Sequence, residues 1–245
     1  MTDQTRTAIV TGASKGIGAA IALRLAEDGF AVVVNYAQDQ AGAEQVVQTI
    51  TSQGGRAVAV RADMAEPSGI ATLFDAAEGV FSPARVLVNN AGQMRLAPIG
   101  EATDADFETQ CALNIGGVFR GMREAALRMQ TVGSIISLSS SVVGLYQPGY
   151  GIYAATKAAV EAMTHVLAKE LGTKGITVNA IAPGPVATEL FLSGKPEQLI
   201  ERIKGANPMG RLGTPEDIAG AVAFLAGPDG RWINGQILRA NGGLV

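Results

Sequence analysis

Tyr153 and Lys157 stand four residues apart in a segment, Tyr153 to Leu171, whose apolar spacing reads as helix. Residues at i and i+4 share one helix face, so the lysine ammonium can lie beside the phenol. A free tyrosine, with a pKa of about 10, is a poor acid–base catalyst near neutrality. A fixed positive charge next to it stabilises the phenolate and can lower that pKa by roughly 1–3 units. The phenol then becomes a usable proton donor or acceptor. Upstream runs Ser139-Ser140-Ser141, three hydroxyls able to hydrogen-bond a polarised oxygen. Tyr-x-x-x-Lys also arises by chance on amphipathic helices, so it takes meaning only from its surroundings.

The second chemical feature is Thr11-Gly12-Ala13-Ser14-Lys15-Gly16-Ile17-Gly18, which ends one apolar run and opens a helical pattern. Glycines there let the backbone turn tightly and approach a pyrophosphate, whose charge a helix N-terminus favours. A nucleotide-hydrolysing P-loop needs Gly-Lys-Ser/Thr, and Gly16-Ile17 after Lys15 excludes it. The usual G-x-G-x-x-G spacing is absent, replaced by glycines at 12, 16 and 18. A methyltransferase site would leave Tyr153 and Lys157 without a task, and a purely structural turn is the plainer alternative. Strand, loop and helix in this order favour a dinucleotide.

These residues need a frame, and the chain supplies a repeating one. Strands are expected at Thr7–Thr11, Ala31–Asn35, Ala57–Arg61, Val86–Asn89, Ser134–Leu138, Thr177–Ala182 and Gln236–Arg239. Helical patterns lie between them at Ile17–Glu27, Ala41–Gln53, Gly69–Phe81, Asp104–Met129, Tyr153–Leu171 and Pro215–Leu225. Runs without polar alternation, such as Ala31-Val-Val-Val34, indicate a sheet buried on both faces. Repeated βα units imply a parallel sheet with right-handed crossovers. The expectation is an α/β chain forming a single doubly wound (Rossmann) domain over residues 1–245, its seven-stranded parallel sheet covered by helices on both faces. The helix from Tyr153 carries two apolar stripes, Ala155/Ala159/Ala162/Val166 and Val160/Met163/Leu167/Leu171. One can face the sheet; the other suggests a second subunit, in a homodimer or homotetramer.

Composition narrows the function classes. With 47% hydrophobic residues in 245, the chain can bury a large core. A net charge of −3 without a basic cluster argues against nucleic acid. The single cysteine, Cys111, excludes an intrachain disulfide, suits a reducing compartment, and reads as packing. Polar Met1–Thr7 offers no secretory signal. The uncharged stretch Met129–Thr156 holds five serines, four glycines and Pro148, which rules out a lipid-facing helix. A cytoplasmic location without membrane contact is expected. No His/Cys/Asp/Glu cluster suggests a metal. His165, the only histidine, lies too far along the helix from Tyr153 to share its chemistry, and Trp232 is expected to pack near the last strand.

Taken together, Thr11-Gly-x-x-x-Gly-x-Gly18, Asn89-Asn90-Ala91-Gly92, Asn114, Ser140, Tyr153-x-x-x-Lys157 and Pro183-Gly184 resemble the short-chain dehydrogenase/reductase family. The resemblance runs through to Asn241-Gly242-Gly243 and is nearest to 3-oxoacyl-acyl-carrier-protein reductases and related carbonyl reductases. It implies that Gly12, Ser14, Lys15, Gly16, Ile17 and Gly18 hold the pyrophosphate and adenosine ribose of a nicotinamide dinucleotide. Asp63 would touch the adenine amine with Met64 beside the ring. Asn90, with Ala91 and Gly92, would reach the cofactor ribose, while Pro183, Gly184, Val186 and Thr188 would meet the carboxamide. Strand two ends in Asn35-Tyr36-Ala37, without the acid an NAD site wants for its ribose hydroxyls. Lys15 with Ser14 can neutralise a 2′-phosphate instead, a pattern similar to the NADPH-preferring members, so NADPH/NADP+ is expected over NADH.

By the same resemblance Tyr153 gives the proton, Ser140 orients the substrate oxygen, Lys157 lowers the tyrosine pKa, and Asn114 holds a relaying water. Ser140 is the serine with the family spacing to Tyr153, and its neighbours read as strand-end hydrophilics. The implied reaction is reversible reduction of a small-molecule ketone or other carbonyl to an alcohol. Residues 189–213 read as a substrate lid, and Met94, Leu145, Tyr146, Tyr150 and Met209 as an apolar pocket. Acyl-carrier protein is acidic, so its reductases present basic residues; Lys174 and Arg128 fit, but Met129-Gln130-Thr131 interrupts the run. A free carbonyl substrate is therefore favoured. Carrier-protein reduction, sugar or polyol oxidation, and a non-catalytic dinucleotide-sensing module are the alternatives.

Overall fold

Continuous apolar runs become strands buried on both faces, because helices pack on each side and leave no face for water. In the computed structural model, which describes residues 6–245, seven strands alternate with helices. The strands are β1 (Arg6–Val10), β2 (Phe30–Tyr36), β3 (Arg56–Arg61), β4 (Ala84–Asn89), β5 (Gly133–Leu138), β6 (Ile176–Pro183) and β7 (Ile237–Ala240). The α-helices are α1 (Gly16–Glu27), α2 (Gln40–Ser52), α3 (Gly69–Val80), α4 (Asp104–Gln110), α5 (Val118–Arg128), α6 (Val142–Leu145), α7 (Gly151–Leu171), α8 (Glu189–Leu192), α9 (Glu197–Ala206) and α10 (Pro215–Ala226). Every residue of β2 and β6 is buried.

The sheet order is β3-β2-β1-β4-β5-β6-β7, and all neighbouring pairs are parallel. The order reverses between β1 and β4, which opens a crevice at the strand C-termini, where doubly wound sheets bind ligands. Helices α1, α2 and α10 cover one face over a core that includes Val32, Val34, Ile21 and Val222. Helices α3, α5 and α7 cover the other, over Ile9, Leu73, Phe74 and Val160. The doubly wound, seven-stranded expectation holds.

The expected helix at Asp104–Met129 is not one regular helix. Wide π-helical turns at Cys111–Gly117 separate α4 from α5. An extra residue per turn rotates everything beyond it, and such bulges gather at functional sites. Here the bulge turns Asn114, wholly buried, toward the crevice. Trp232 also departs from expectation: it is 96% exposed and packs on nothing.

Candidate active site

The glycine loop is held from two sides by asparagines. On the β2 side, the Asn35 side chain accepts from the Gly12 amide at 3.0 Å and donates to the carbonyls of Tyr36, Val60 and Ala62. On the β4 side, Asn90 donates to the Thr11 and Gly12 carbonyls, and the Thr11 hydroxyl accepts from the amides of Asn90 and Ala91. Gly12 sits at φ +61, and a Cβ on Gly18 would lie 2.2 Å from the Gly12 carbonyl oxygen. Lys15 at the head of α1 makes no side-chain cap. The helix therefore starts with unpaired amide donors facing a surface cleared of side chains, which fits a pyrophosphate.

Two expectations change, those that make Asn35 and Met64 cofactor contacts, and Lys15 gains a partner. Asn35 is 2% exposed with its donors and acceptor spent on the loop, so it shapes the cradle and is not a ribose ligand. Met64 is 5% exposed and turns into the core under α3, where it cannot lie beside a ring; the exposed Asp63 accepts from the Ala65 amide at its rim. Lys15 pairs with Glu189 at 2.6 Å, across to the first residue of α8. That hydrogen bond, ahead of the neighbouring charges, raises its pKa. Ser14 and Ile17 stay partly exposed beside it.

On the far wall, β6 ends at Pro183, and Gly184 donates to the Ala240 carbonyl, packed so closely on Asn241 that a Cβ would lie 2.9 Å away. Val186 is buried and bridges to Gly213, while Thr188 caps α8 and faces Gly16. Residues 12–18 and 184–188 thus form opposite lips of one groove.

The acid–base residues meet where β4 and β5 end. Lys157 is 4% exposed and donates to the Leu138 carbonyl at 2.7 Å, with its nitrogen 5.7 Å from the centre of the Tyr153 ring. The Ser140 hydroxyl accepts from the Val142 amide at 3.4 Å and lies close enough to the Tyr153 phenol to act on its pKa. Gly92 lies in front of both Lys157 and Asn114, its would-be Cβ at 3.6 and 3.3 Å from their polar atoms. Asn114 clamps the loop after β4: it accepts from the Gln93 amide and donates to the Gln93 carbonyl and the Thr156 hydroxyl. Only the second lone pair of its side-chain oxygen is left for a water.

The expected direction of the tyrosine shift does not hold. Burial pushes the Tyr153 phenol up to about 12; the Ser140 hydrogen bond opposes this and nearby Tyr150 adds to it. Lys157 itself is lowered to about 8 by burial. Desolvation outweighs the pairing because the ammonium sits against a carbonyl and has no anion to face.

Around this cluster, Met94, Leu145 and Tyr150 are partly buried, whereas Tyr146 and Met209 are 76% and 63% exposed. A cavity of about 290 Å³ lies behind the 184–186 turn, lined by Asn207, Met209, Arg211 and Asn241. A larger one, about 690 Å³, opens at the N-terminal edge of the sheet near Arg85 and Arg231, remote from the chemistry. The basic residues expected to greet a carrier protein are engaged: Arg128 pairs with Asp75 and Glu78, and Lys174 donates to the Ala126 carbonyl. His165 is exposed. Among the described residues no helix is long and apolar enough to cross a membrane.

Sequence reasoning missed two further residues. Glu161 accepts a hydrogen bond from Ser139 at 2.6 Å, and its position four residues after Lys157 is the only signal for it. Gln93, bonded to both the backbone of Thr109 and Asn114, carries no signal at all.

Comparison with known proteins agrees with this geometry. A family model described as enoyl-(acyl carrier protein) reductase matches residues 12–245. An NADPH-dependent aldehyde reductase-like protein, chloroplastic, of Arabidopsis thaliana is 46% identical, covering 98% of this chain and 94% of its own. A short-chain type dehydrogenase/reductase of Picea abies is likewise 46% identical, over 98% and 92%. Among solved structures, a short chain dehydrogenase from Burkholderia cenocepacia J2315 in complex with NADP superposes with a TM-score of 0.93 at 36% identity, covering 98% of both chains.

Proposed function

The chain belongs to the short-chain dehydrogenase/reductase family of NAD(P)-dependent oxidoreductases, and from that premise we propose that it is an NADPH-dependent reductase of free aldehydes and ketones. The observation that carries this reading is the convergence of Ser140, Tyr153 and Lys157 beside a groove lipped by the glycine loop. When bound, the nicotinamide supplies the hydride, which no side chain can carry. Ser140 donates a hydrogen bond to the carbonyl oxygen and Tyr153 donates its proton as negative charge grows there. Lys157 then stands beside the phenolate that remains. Asn114 holds the 93 loop against α7 and leaves one lone pair for a relaying water. Gly12, Ser14, Gly16, Ile17 and Gly18 would hold the pyrophosphate, Asp63 the adenine edge, Asn90, Ala91 and Gly92 the ribose, and Pro183, Gly184, Val186 and Thr188 the carboxamide.

Lys15, shared with Glu189 and close to Asp39, is the cation available for a 2′-phosphate, and β2 ends in Asn35-Tyr36 without an acid to repel one; the NADP of the Burkholderia structure and the name of the Arabidopsis relative support the same choice. Residues 189–213 act as the lid of the one domain. The outer stripe of α7, with Val166 57% exposed, favours a homodimer or homotetramer. Engagement of Arg128 and Lys174 speaks against carrier-protein substrates despite the family model's description. The test is NADPH consumption against aldehydes, ketones, sugars and acetoacetyl thioesters, repeated with NADH. Turnover of a free carbonyl with NADPH supports the reading; activity only on thioesters, or a strong NADH preference, overturns it.

A further inference from the structure

Three consecutive residues at the end of β5 are each engaged by α7 residues spaced four apart. The Leu138 carbonyl accepts from Lys157 at 2.7 Å, the Ser139 hydroxyl donates to Glu161 at 2.6 Å, and the Ser140 hydroxyl lies close enough to the Tyr153 phenol to pull its pKa down. Tyr153, Lys157 and Glu161 therefore form one stripe facing one strand end. Ser139 is 3% exposed, and its bond to Glu161 has the length of a charge-assisted one. Its amide also donates to the Ile181 carbonyl at 2.7 Å. On the other side of Ser140, the Ser141 amide and hydroxyl are tied to the Pro183 and Ala182 carbonyls. Ser140 is thus suspended between two fixed neighbours, and Glu161 is the anchor that ties one of them, Ser139, to the helix carrying Tyr153 and Lys157.

We propose that Glu161 is a positioning residue for the reaction: by gripping Ser139 it sets the aim of the Ser140 hydroxyl and the seat that the Leu138 carbonyl offers Lys157. This rests on the reading of Ser140, Tyr153 and Lys157 as the acid–base machinery. Small displacements of such groups are costly, since a shift of about 1 Å can lose about a hundredfold in rate. A merely structural Glu161 would satisfy the Ser139 hydroxyl and affect folding alone.

The two roles separate in a set of variants assayed with NADPH and the best carbonyl of the panel, active sites being counted by NADPH fluorescence titration. Glu161→Ala is expected to lower kcat per active site by about ten- to a hundredfold, with the KM for NADPH changed less than about twofold. Glu161→Gln, whose amide oxygen accepts the same bond, restores most of the rate. Ser139→Ala, which removes one oxygen and perturbs folding least, gives a similar loss, and the double variant is no worse than Glu161→Ala. A full kcat per active site in Glu161→Ala or Ser139→Ala, multiplied losses in the double variant, or a Gln variant as slow as Ala overturns the proposal. Tyr153→Phe is the control: if it still turns over, the catalytic reading itself fails. If it is inactive while Glu161→Ala is fully active, only the role of Glu161 fails.

Discussion

Lys157 donates its ammonium to the Leu138 carbonyl at 2.7 Å while only 4% exposed. One neutral acceptor offsets part of the desolvation of a buried charge and no more, so its pKa falls from 10.5 to about 8. Burial in the same pocket holds the Tyr153 phenol at about 12. Burial thus disfavours the charged form of both members of the acid–base pair.

That cost has a signature in stability. Below pH 8 both folded and unfolded states carry the Lys157 proton, and the cost of its burial is constant. Between pH 8 and 10.5 the unfolded state binds more protons, so stability rises with pH, by up to about 3 kcal/mol. Above pH 10 Tyr153 works the other way, since the folded state keeps a proton that the unfolded chain releases. Urea midpoints of the cofactor-free protein at pH 7.5 to 9.5 should rise in the wild type relative to Lys157→Met. Parallel curves for the two proteins would show that Lys157 is not depressed.

Tyr153→Phe removes the proton donor and keeps the ring. Turnover should fall by about 10²- to 10⁴-fold, the usual worth of a general acid. NADPH affinity, set by the groove, should stay within about threefold by fluorescence titration. Near-normal turnover in this variant is the adverse result.

The neighbouring serines separate by task. Ser140 is partly exposed and faces the phenol, whereas Ser141 is buried, donating to the Ala182 carbonyl and accepting from Asn241. Ser140→Ala should cost about a hundredfold in kcat with little loss of stability, for it removes one donor to a developing charge. Ser141→Ala should lose about 1–2 kcal/mol of stability by leaving Asn241 short of a partner, with kcat reduced far less. The reverse ranking in steady-state assays and urea melts would reassign the register.

Lys15 is shared between its proposed phosphate and Glu189, both exposed. Lys15→Ala should raise the KM for NADPH about tenfold while leaving that for NADH nearly unchanged, as expected for loss of a charge-assisted contact. Glu189→Gln frees the lysine and should tighten NADPH, by no more than about fivefold because exposed pairs are worth about 0–1 kcal/mol. Equal effects on NADPH and NADH would place the phosphate elsewhere.

Much of the frame was legible because it is local and periodic. Ala31-Val-Val-Val34 and Val86-Leu-Val88 announce buried parallel strands by composition alone, and the structure places the second at the centre of the sheet and the first one strand in from its edge. The motifs gave the glycine loop and the Tyr153/Lys157 face for the same reason. What escaped depends on contacts distant in the chain. The π-helical turns at Cys111–Gly117 arise where Gly117 packs so close to Met64 that a Cβ would lie 3.0 Å from its carbonyl oxygen and where Asn114 reaches Gln93, and no propensity scale encodes either partner. The rise in the Tyr153 pKa needs the depth of burial, which an i,i+4 spacing does not contain. Met64 illustrates the opposite error, a side chain assigned to the site by position in a motif and claimed by the core.

Asn35 gives the sharpest test of that distinction. Reading the end of β2 as a selectivity position suggests that Asn35→Asp would supply the missing acid and convert the enzyme to NADH. The geometry forbids it. The Asn35 amide nitrogen points at three carbonyls, those of Tyr36, Val60 and Ala62, at 3.3, 3.3 and 2.9 Å, in a site 2% exposed. An aspartate there would set a carboxylate oxygen against three acceptors and add a buried charge, although the Tyr36 carbonyl would keep the Ala62 amide. Asn35→Asp should therefore lose about 3 kcal/mol or more of stability, read as a drop in urea midpoint. Because the other oxygen carries the Gly12 amide, NADPH and NADH binding should weaken together as the loop loosens. A stable variant with gained NADH turnover would show instead that Asn35 faces the ribose.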